Sequence, residues 1–334
     1  MIDVQHLSKR YGSFQAVDDI SFEVERGDVV GFLGPNGAGK TTTIRILTCY
    51  HPASSGSATV AGFDVFSQSL EVRRRIGYLP EAAPLYTEMR VREYLRFRGK
   101  LRGMTHPDIV KAIGRVTDLC WLSEFIDRPI GQLSKGMRQR VGLADAIMHD
   151  PEVLILDEPT IGLDPTQIRE TRNLIKDLGA RHTILLSSHI LPEVEQVCSR
   201  TIIIANGKIV AGGSPAELRE KLSSKGRIVA EVRGPRPEIE TGVRSISGVQ
   251  KVDISNVDGW VRVSVESSPE RDVREDIFRL TSSNGWSLRE IHREGGTLED
   301  FFIQVISEQA GDRAAREKTP VGWDGPRVTG NLKR

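Results

Sequence analysis

Gly34-Pro35-Asn36-Gly37-Ala38-Gly39-Lys40-Thr41 is the stretch on which the reading of this chain turns. It fits the phosphate-binding loop pattern G-x-x-x-x-G-K-[ST] at every fixed position. Residues 28–33 ahead of it read as a buried strand, and residues 42–49, opening with Thr42, read as the helix that follows. A loop of this kind turns successive backbone N–H groups toward an anion, and the helix N-terminus adds its dipole. The glycines are expected to let phosphate oxygens approach closely. In this reading Lys40 reaches the β- and γ-phosphates and the Thr41 hydroxyl holds Mg²⁺.

The chain has 334 residues, which implies two or three structural units. Charged residues are 27% and hydrophobic residues 38%, a globular balance. The formal net charge of +1 removes any global electrostatic argument for nucleic acid. Apolar runs are all shorter than the roughly eighteen residues that a membrane helix needs. Met1-Ile2-Asp3-Val4 carries no basic-then-apolar leader pattern. Cys49, Cys120 and Cys198 are scattered and odd in number, so they read as small buried hydrophobes, with no disulfide frame or metal site.

Outward from the loop, residues 1–27 read as two antiparallel strands joined by a turn, Lys9-Arg10-Tyr11-Gly12. An aromatic on that turn can stack on a base. Residues 57–62 read as a short strand, 72–75 close a basic helix, and 76–80 form a strand ending at Pro80. Residues 81–150 change texture. Val91, Tyr94, Leu95, Arg98 and Leu101 fall at helical spacing, and Thr105 is an N-cap signal for a second helix. This is a helical insert, and Arg90, Arg92, Arg96, Lys100 and Arg102 read as its solvated side. Residues 151–158 are the strongest apolar strand, buried on both faces. A helix over 168–178, a strand over 183–189 and a hairpin on Asn206-Gly207 come next. Alternation of strands and helices implies a parallel sheet with helices on its faces.

A second unit begins beyond Ser223-Ser224-Lys225-Gly226. Its elements run β-α-β-β-α-β over 227–292, the ferredoxin-like order, followed by a helix over 298–306 and a polar tail, 308–334, expected to be disordered. The fold class is therefore α/β, with a P-loop NTPase core, an antiparallel β subdomain and a helical insert, plus a C-terminal α+β domain. The expected domains are 1–222 and 227–307.

A phosphate loop alone is compatible with many nucleotidases. Asp157, at the end of the apolar strand, is placed to take Mg²⁺, and Glu158 beside it to polarise an attacking water. Leu133-Ser134-Lys135-Gly136-Met137 reads as a second helix start, with Ser134 as N-cap and Gly136 leaving the backbone open. The loop at Gly34 already has a helix for its nucleotide. A second anion-binding helix start therefore suggests service to a nucleotide on another copy.

The order of Tyr11, Gly34 to Thr41, Leu133 to Met137, Val153 to Glu158, Gly162-Leu163-Asp164 and His189 resembles the ATP-binding subunit of ABC transporters over residues 1–220. The resemblance implies ATP and Mg²⁺ as cofactors. It implies Tyr11 as the adenine-stacking aromatic, Ser134 and Gly136 as the caps of ATP on the opposite subunit, Asp164 in the loop linking the two sites, and His189 at the γ-phosphate. Lys135 and Met137 depart from the usual Leu-Ser-Gly-Gly-Gln. Glu81 stands where the family usually has a metal-contacting Gln, and its carboxylate can still ligate Mg²⁺. This variant and the ending Thr297-Leu298-Glu299-Asp300-Phe301-Phe302 are similar to exporter-type ATPases for drugs, polysaccharides, gliding motility and copper processing. The resemblance further implies an ATPase that dimerises head to tail and powers a separate integral-membrane permease in export. It would lie in the cytoplasm, peripheral on the inner face of the membrane, with the helical insert and Glu81 region as docking surface and no nucleic acid partner. The alternative is a soluble ATPase of the same type acting on ribosomes or DNA.

Overall fold

The computed structural model describes residues 1–218, 227–267 and 271–294. The linker at 223–226, the helix expected over 298–306, the ending at 297–302 and the tail at 308–334 lie outside the described residues.

The first sheet is antiparallel. β1 (Ile2–Tyr11) pairs with β2 (Phe14–Val24) on one side and β4 (Ser55–Val60) on the other, and β5 (Phe63–Asp64) adds the far edge. Lys9, Arg10 and Tyr11 belong to β1, and the turn is the shorter Gly12-Ser13. Gly12 takes a left-handed φ of 60°, which lets so tight a connection close.

The second sheet runs in the order β10-β9-β3-β8-β7-β6. These strands are β3 (Val29–Leu33), β6 (Ile76–Leu79), β7 (Val153–Asp157), β8 (Thr183–Ser188), β9 (Arg200–Ala205) and β10 (Lys208–Gly213). All neighbours are parallel except β10, which returns antiparallel through Asn206-Gly207. Both residues of that turn have positive φ, which the tight hairpin requires.

β7 shows why its apolar run is continuous. Val153 and Ile155 pack into a core shared with Ile2, Val4, Ile20 and Phe32, between the two sheets. Leu154 and Leu156, one residue out of step, pack into a second core with the helical insert. Alternate side chains of one strand thus fill opposite cores, so no position can be polar until Asp157.

The helices between strands are α1 (Lys40–Leu47), α2 (Ser69–Arg75), α3 (Val91–Leu101), α4 (His106–Leu119), α5 (Lys135–Ile147), α6 (Pro165–Gly179) and α7 (Leu191–Val197). α1 begins two residues earlier than its periodicity indicates, because Gly39 feeds directly into it. α7 has no counterpart in the sequence reading, since its seven residues are too few for a period to show.

In the insert, Val91, Tyr94 and Leu95 are buried, but Leu101 is exposed. Its basic side is partly engaged. Arg92 pairs with Asp127 at 2.8 Å, Arg90 donates to the Asp127 carbonyl, and Arg102 donates to His149 at 2.9 Å. Arg98 reaches across to Asp145 of α5 at 2.9 Å. Charge alone does not mark a solvated face where α3 meets α5 and the segment 120–129.

α5 presses on β6 at Gly77. A Cβ built there lies 2.1 Å from the carbonyl oxygen of Ala146. Backbone against backbone leaves no flexible group to give way. Gly77→Ala is therefore expected to lower stability by about 1–3 kcal/mol, the usual cost of overpacking. Urea unfolding at fixed m-value measures it, and an unchanged midpoint would show that α5 and β6 separate freely.

Residues 227–294 build the third sheet, order β12-β13-β11-β14, with every pair antiparallel. Its strands are β11 (Arg227–Arg233), β12 (Val249–Val257), β13 (Trp260–Ser267) and β14 (Ser287–Glu294). The helices α8 (Arg236–Arg244) and α9 (Arg274–Ser283) complete a β-α-β-β-α-β order around a core of Ile228, Ala230, Val232, Ile239, Val263 and Ile277. The β12–β13 turn is Asp258-Gly259, since strand pairing continues through Val257 and Trp260.

Candidate functional site

β3, β6, β7 and β8 are neighbours in one parallel stretch, so their C-terminal ends open on the same edge. Their registers align Leu33 with Ser188, Asp157 with Ser187, and Leu79 with Leu156. The loop 34–41, Glu81, Asp157, Glu158 and His189 therefore converge, as ligand sites of open parallel sheets do. An open cleft of about 370 Å³ lies there. It is lined by Phe14, Ala16, Asn36, Gly37, Ala38, Gly39, Lys40, Thr41, Thr42, Glu81, Glu158 and Ile161.

The glycines of the loop serve different ends. At Gly37, with φ 78°, nothing lies within 4 Å of a built Cβ, so only backbone conformation calls for glycine. At Gly34 a Cβ would come within 2.3 Å of the Ile204 carbonyl of β9, and at Gly39 within 2.7 Å of the Ala16 carbonyl of β2. Those two are needed because the loop is wedged between neighbouring strands, a requirement separate from phosphate approach.

Lys40 is 6% exposed. Its ammonium donates to the carbonyls of Gly34 (2.7 Å) and Pro35 (3.2 Å) and lies 3.4 Å from Glu158 Oε1. Glu158 is 5% exposed and has φ 50°, a left-handed backbone that a glutamate rarely adopts. Its Oε2 lies 2.8 Å from His189 Nδ1, where Nδ1–H donates to the carboxylate. One carboxylate is thus held between the lysine of the loop and the histidine after β8.

Asp157 Oδ1 accepts from Ser187 (2.6 Å) and from Thr41 (3.4 Å). Ser187 Oγ in turn accepts the Glu158 backbone N–H at 3.0 Å. Burial raises the Asp157 pKa, the hydrogen bonds from Ser187 and Thr41 oppose that shift, and the carboxylates of Glu158 and Glu81 reinforce it. Asp157 Oδ2 is buried and has no hydrogen-bond partner. An orphaned carboxylate oxygen beside a threonine hydroxyl and a second carboxylate is a hard-oxygen donor set, which fits Mg²⁺.

Tyr11 stands apart from the cleft lining. It ends β1 and is 43% exposed, with the Lys9 ammonium 5.1 Å over its ring and His51 edge-on at 6.3 Å. Phe14, its cross-strand partner, lines the cleft instead. Ser134 caps α5 by accepting the Met137 N–H at 3.2 Å. A Cβ on Gly136 would lie 2.2 Å from the Gln167 side chain, and one on Gly162 would lie 2.3 Å from Lys135 Nζ. Asp164 caps α6, accepting from Thr166 and Gln167. The start of α5 thus lies against the 162–164 loop, and none of residues 133–137 lines the cleft.

Two contributors escape the sequence. Ser187 joins the Asp157 carboxylate to the Glu158 backbone N–H, and its only signal is a Ser-Ser pair ending an apolar strand. Phe14 is hidden because the local pattern sets the turn at 9–12, whereas β1 continues to Tyr11.

Residues 17–161 match the family described as ABC transporter. The bacitracin transport ATP-binding protein of Bacillus licheniformis is 42% identical over 320 residues, covering 92% of this chain and 97% of that protein. The linearmycin resistance ATP-binding protein of Bacillus subtilis is 30% identical over 315 residues, covering 93% and 100%. A Nod factor export ATP-binding protein of Burkholderia pseudomallei is 38% identical over 310 residues, covering 92% and 97%. Among solved structures, an ATP-binding subunit of an ABC transporter superposes with a TM-score of 0.62 at 30% identity, covering 66% of this chain and 92% of that one.

Proposed function

The chain belongs to the ABC transporter family as an ATP-binding protein, and on that premise we propose an ATP-hydrolysing subunit that pairs head to tail and drives a separate transmembrane permease in export. One observation carries the pairing. The cleft gathers Lys40, Glu158 and Glu81 from one chain but takes nothing from the helix start at Ser134. A site with that half missing is completed by the Ser134 and Gly136 of a second copy.

The geometry supports the following roles. Backbone N–H groups of Asn36, Gly37 and Gly39 cradle the phosphates together with Lys40, Thr41 and Thr42, in a loop that Gly34, Pro35 and Ala38 shape, the Gly34 N–H donating to the Ser188 carbonyl and the Ala38 N–H to that of Pro35. Phe14, which lines the cleft, and Tyr11, its cross-strand partner, are the aromatics available to the base. Glu158 orients and polarises the attacking water, and His189 holds Glu158 and faces the γ-phosphate. Thr41, Asp157 and Glu81 would hold Mg²⁺, which when bound offsets phosphate charge. Lys40 shares that charge and exchanges its loop carbonyls for phosphate oxygens. Asp164, which caps α6, is proposed to link the two sites of a pair.

Export is supported by the named roles of the relatives in bacitracin transport and Nod factor export. No helix among the described residues is long and apolar enough to cross a membrane. A peripheral place on the inner membrane face, with the insert and the Glu81 region against the permease, is consistent with that. We divide the chain at 1–222 and 227–307. The sheet order and antiparallel pairing support a ferredoxin-like second domain.

Mixing two inactive variants tests the pairing. Lys40→Met and Ser134→Arg each break both sites of a like pair. A mixed pair has one site with both defects and one with neither. Equal mixing is expected to restore up to about a quarter of wild-type turnover, since about half the pairs are mixed and each has one intact site. Mixed pairs visible by native mass spectrometry but still inactive would overturn the head-to-tail site.

A further inference from the structure

Glu193 on α7 is 4% exposed and takes no part in the site described above. Its Oε2 accepts Thr160 Oγ1 at 2.6 Å and Ser188 Oγ at 3.4 Å. Arg172 of α6 approaches its Oε1 at 3.6 Å and also donates to Gln196 at 2.7 Å. The two hydroxyls belong to the segments that carry the facing catalytic groups. Thr160 comes two residues after Glu158, and Ser188 immediately precedes His189.

Those segments need a tie. β7 and β8 pair only as far as Asp157 and Ser187, so the ladder has ended where Glu158 and His189 must meet. Glu158 then leaves the strand with φ 50°. Ser188 Oγ accepts the Ile190 N–H at 3.0 Å, which shapes the turn holding His189. The Pro159 carbonyl accepts from Gln139 of α5 at 3.2 Å, which fixes the same stretch from the other side.

We infer that Glu193 is a positioning residue for ATP hydrolysis: its carboxylate clamps the Thr160 and Ser188 hydroxyls and so keeps Glu158 and His189 in register beyond the end of the β-ladder. This rests on the reading that Glu158 and His189 act on the nucleotide. A carboxylate suits the task. One oxygen takes both hydroxyls while the other meets Arg172, so the pair is compensated inside the fold. An amide would turn a donor toward either the hydroxyls or the guanidinium.

Thr160→Val and Glu193→Gln in the full chain test the clamp by steady-state ATPase kinetics. Each is expected to lower kcat about tenfold to a hundredfold with KM for ATP within about threefold, the pattern of a lost transition-state interaction. Thr160→Ser keeps the hydroxyl and is expected to restore kcat to within about threefold of wild type. On a Glu158→Gln background Thr160→Val is expected to cost less than about twofold more, because groups acting as one unit are not additive. A folded Thr160→Val with wild-type kcat overturns the inference, and so does full additivity with Glu158→Gln. If Glu158→Gln itself keeps turnover, the hydrolytic reading falls and the clamp with it. If Glu158→Gln loses turnover and Thr160→Val does not, the clamp alone falls.

Discussion

Replacing Glu158 by glutamine is expected to lower kcat by about a hundredfold or more while ATP affinity stays within about threefold of wild type. The glutamine is isosteric and keeps a carbonyl oxygen. It can still accept from His189 or meet Lys40, so the cleft retains its shape. What it loses is the negative charge that polarises water as attack begins. That interaction strengthens only in the transition state, so its loss falls on kcat and leaves binding nearly untouched. Glu158 is suited to the role because its two oxygens are held separately, by Lys40 at 3.4 Å and by His189 at 2.8 Å, in a nearly buried position. Steady-state turnover together with calorimetric ATP titration measures both quantities. Near-normal turnover would remove Glu158 from the role.

Lys40→Met is the complementary case, with the loss expected in binding first. The ammonium is nearly buried and is surrounded by two carbonyls and a carboxylate. Methionine fills similar volume without charge. Removing one member of a buried charge pair costs about 3–5 kcal/mol, because the partner stays buried and uncompensated. Phosphates then enter a cleft that holds Glu158, Glu81 and the nearby Asp157 without their nearest cation. ATP affinity is expected to fall about a hundredfold or more, since about 1.4 kcal/mol is a factor of ten. Titration calorimetry with the variant, at concentrations where wild type saturates, reads this directly. Unchanged affinity would mean that backbone N–H groups alone hold the phosphates.

The loop 34–41 is legible because its chemistry is local. Eight consecutive residues set the direction of their own N–H groups, and the flanking strand and helix follow from period and composition. β7 is legible for a related reason: a strand covered on both faces has no polar position, and the run stops at Asp157, whose carboxylate accepts from Ser187 and Thr41. α7 is not legible, because seven residues do not complete enough turns to show a stripe. The basic residues of α3 mislead in part, because Arg92 and Arg102 find partners on segments that no local pattern connects to them. Tyr11 illustrates the same limit. β1 runs to its last possible residue before Gly12, and that shift of the turn puts Phe14 on the cleft.

By itself the sequence determined the P-loop α/β class of the core and marked out the loop 34–41 and the acidic pair Asp157-Glu158 as candidates, all of which depend on neighbours along the chain. Only the tertiary structure decided which groups meet. The parallel register of β7 and β8 brings Ser187 to the Asp157 carboxylate and the Glu158 backbone N–H. The left-handed turn at Glu158 aims its side chain between Lys40 and His189. Glu193 ties the two segments where the ladder ends. These contacts depend on strand order and on side-chain direction at strand ends, and neither leaves a period that a single chain displays.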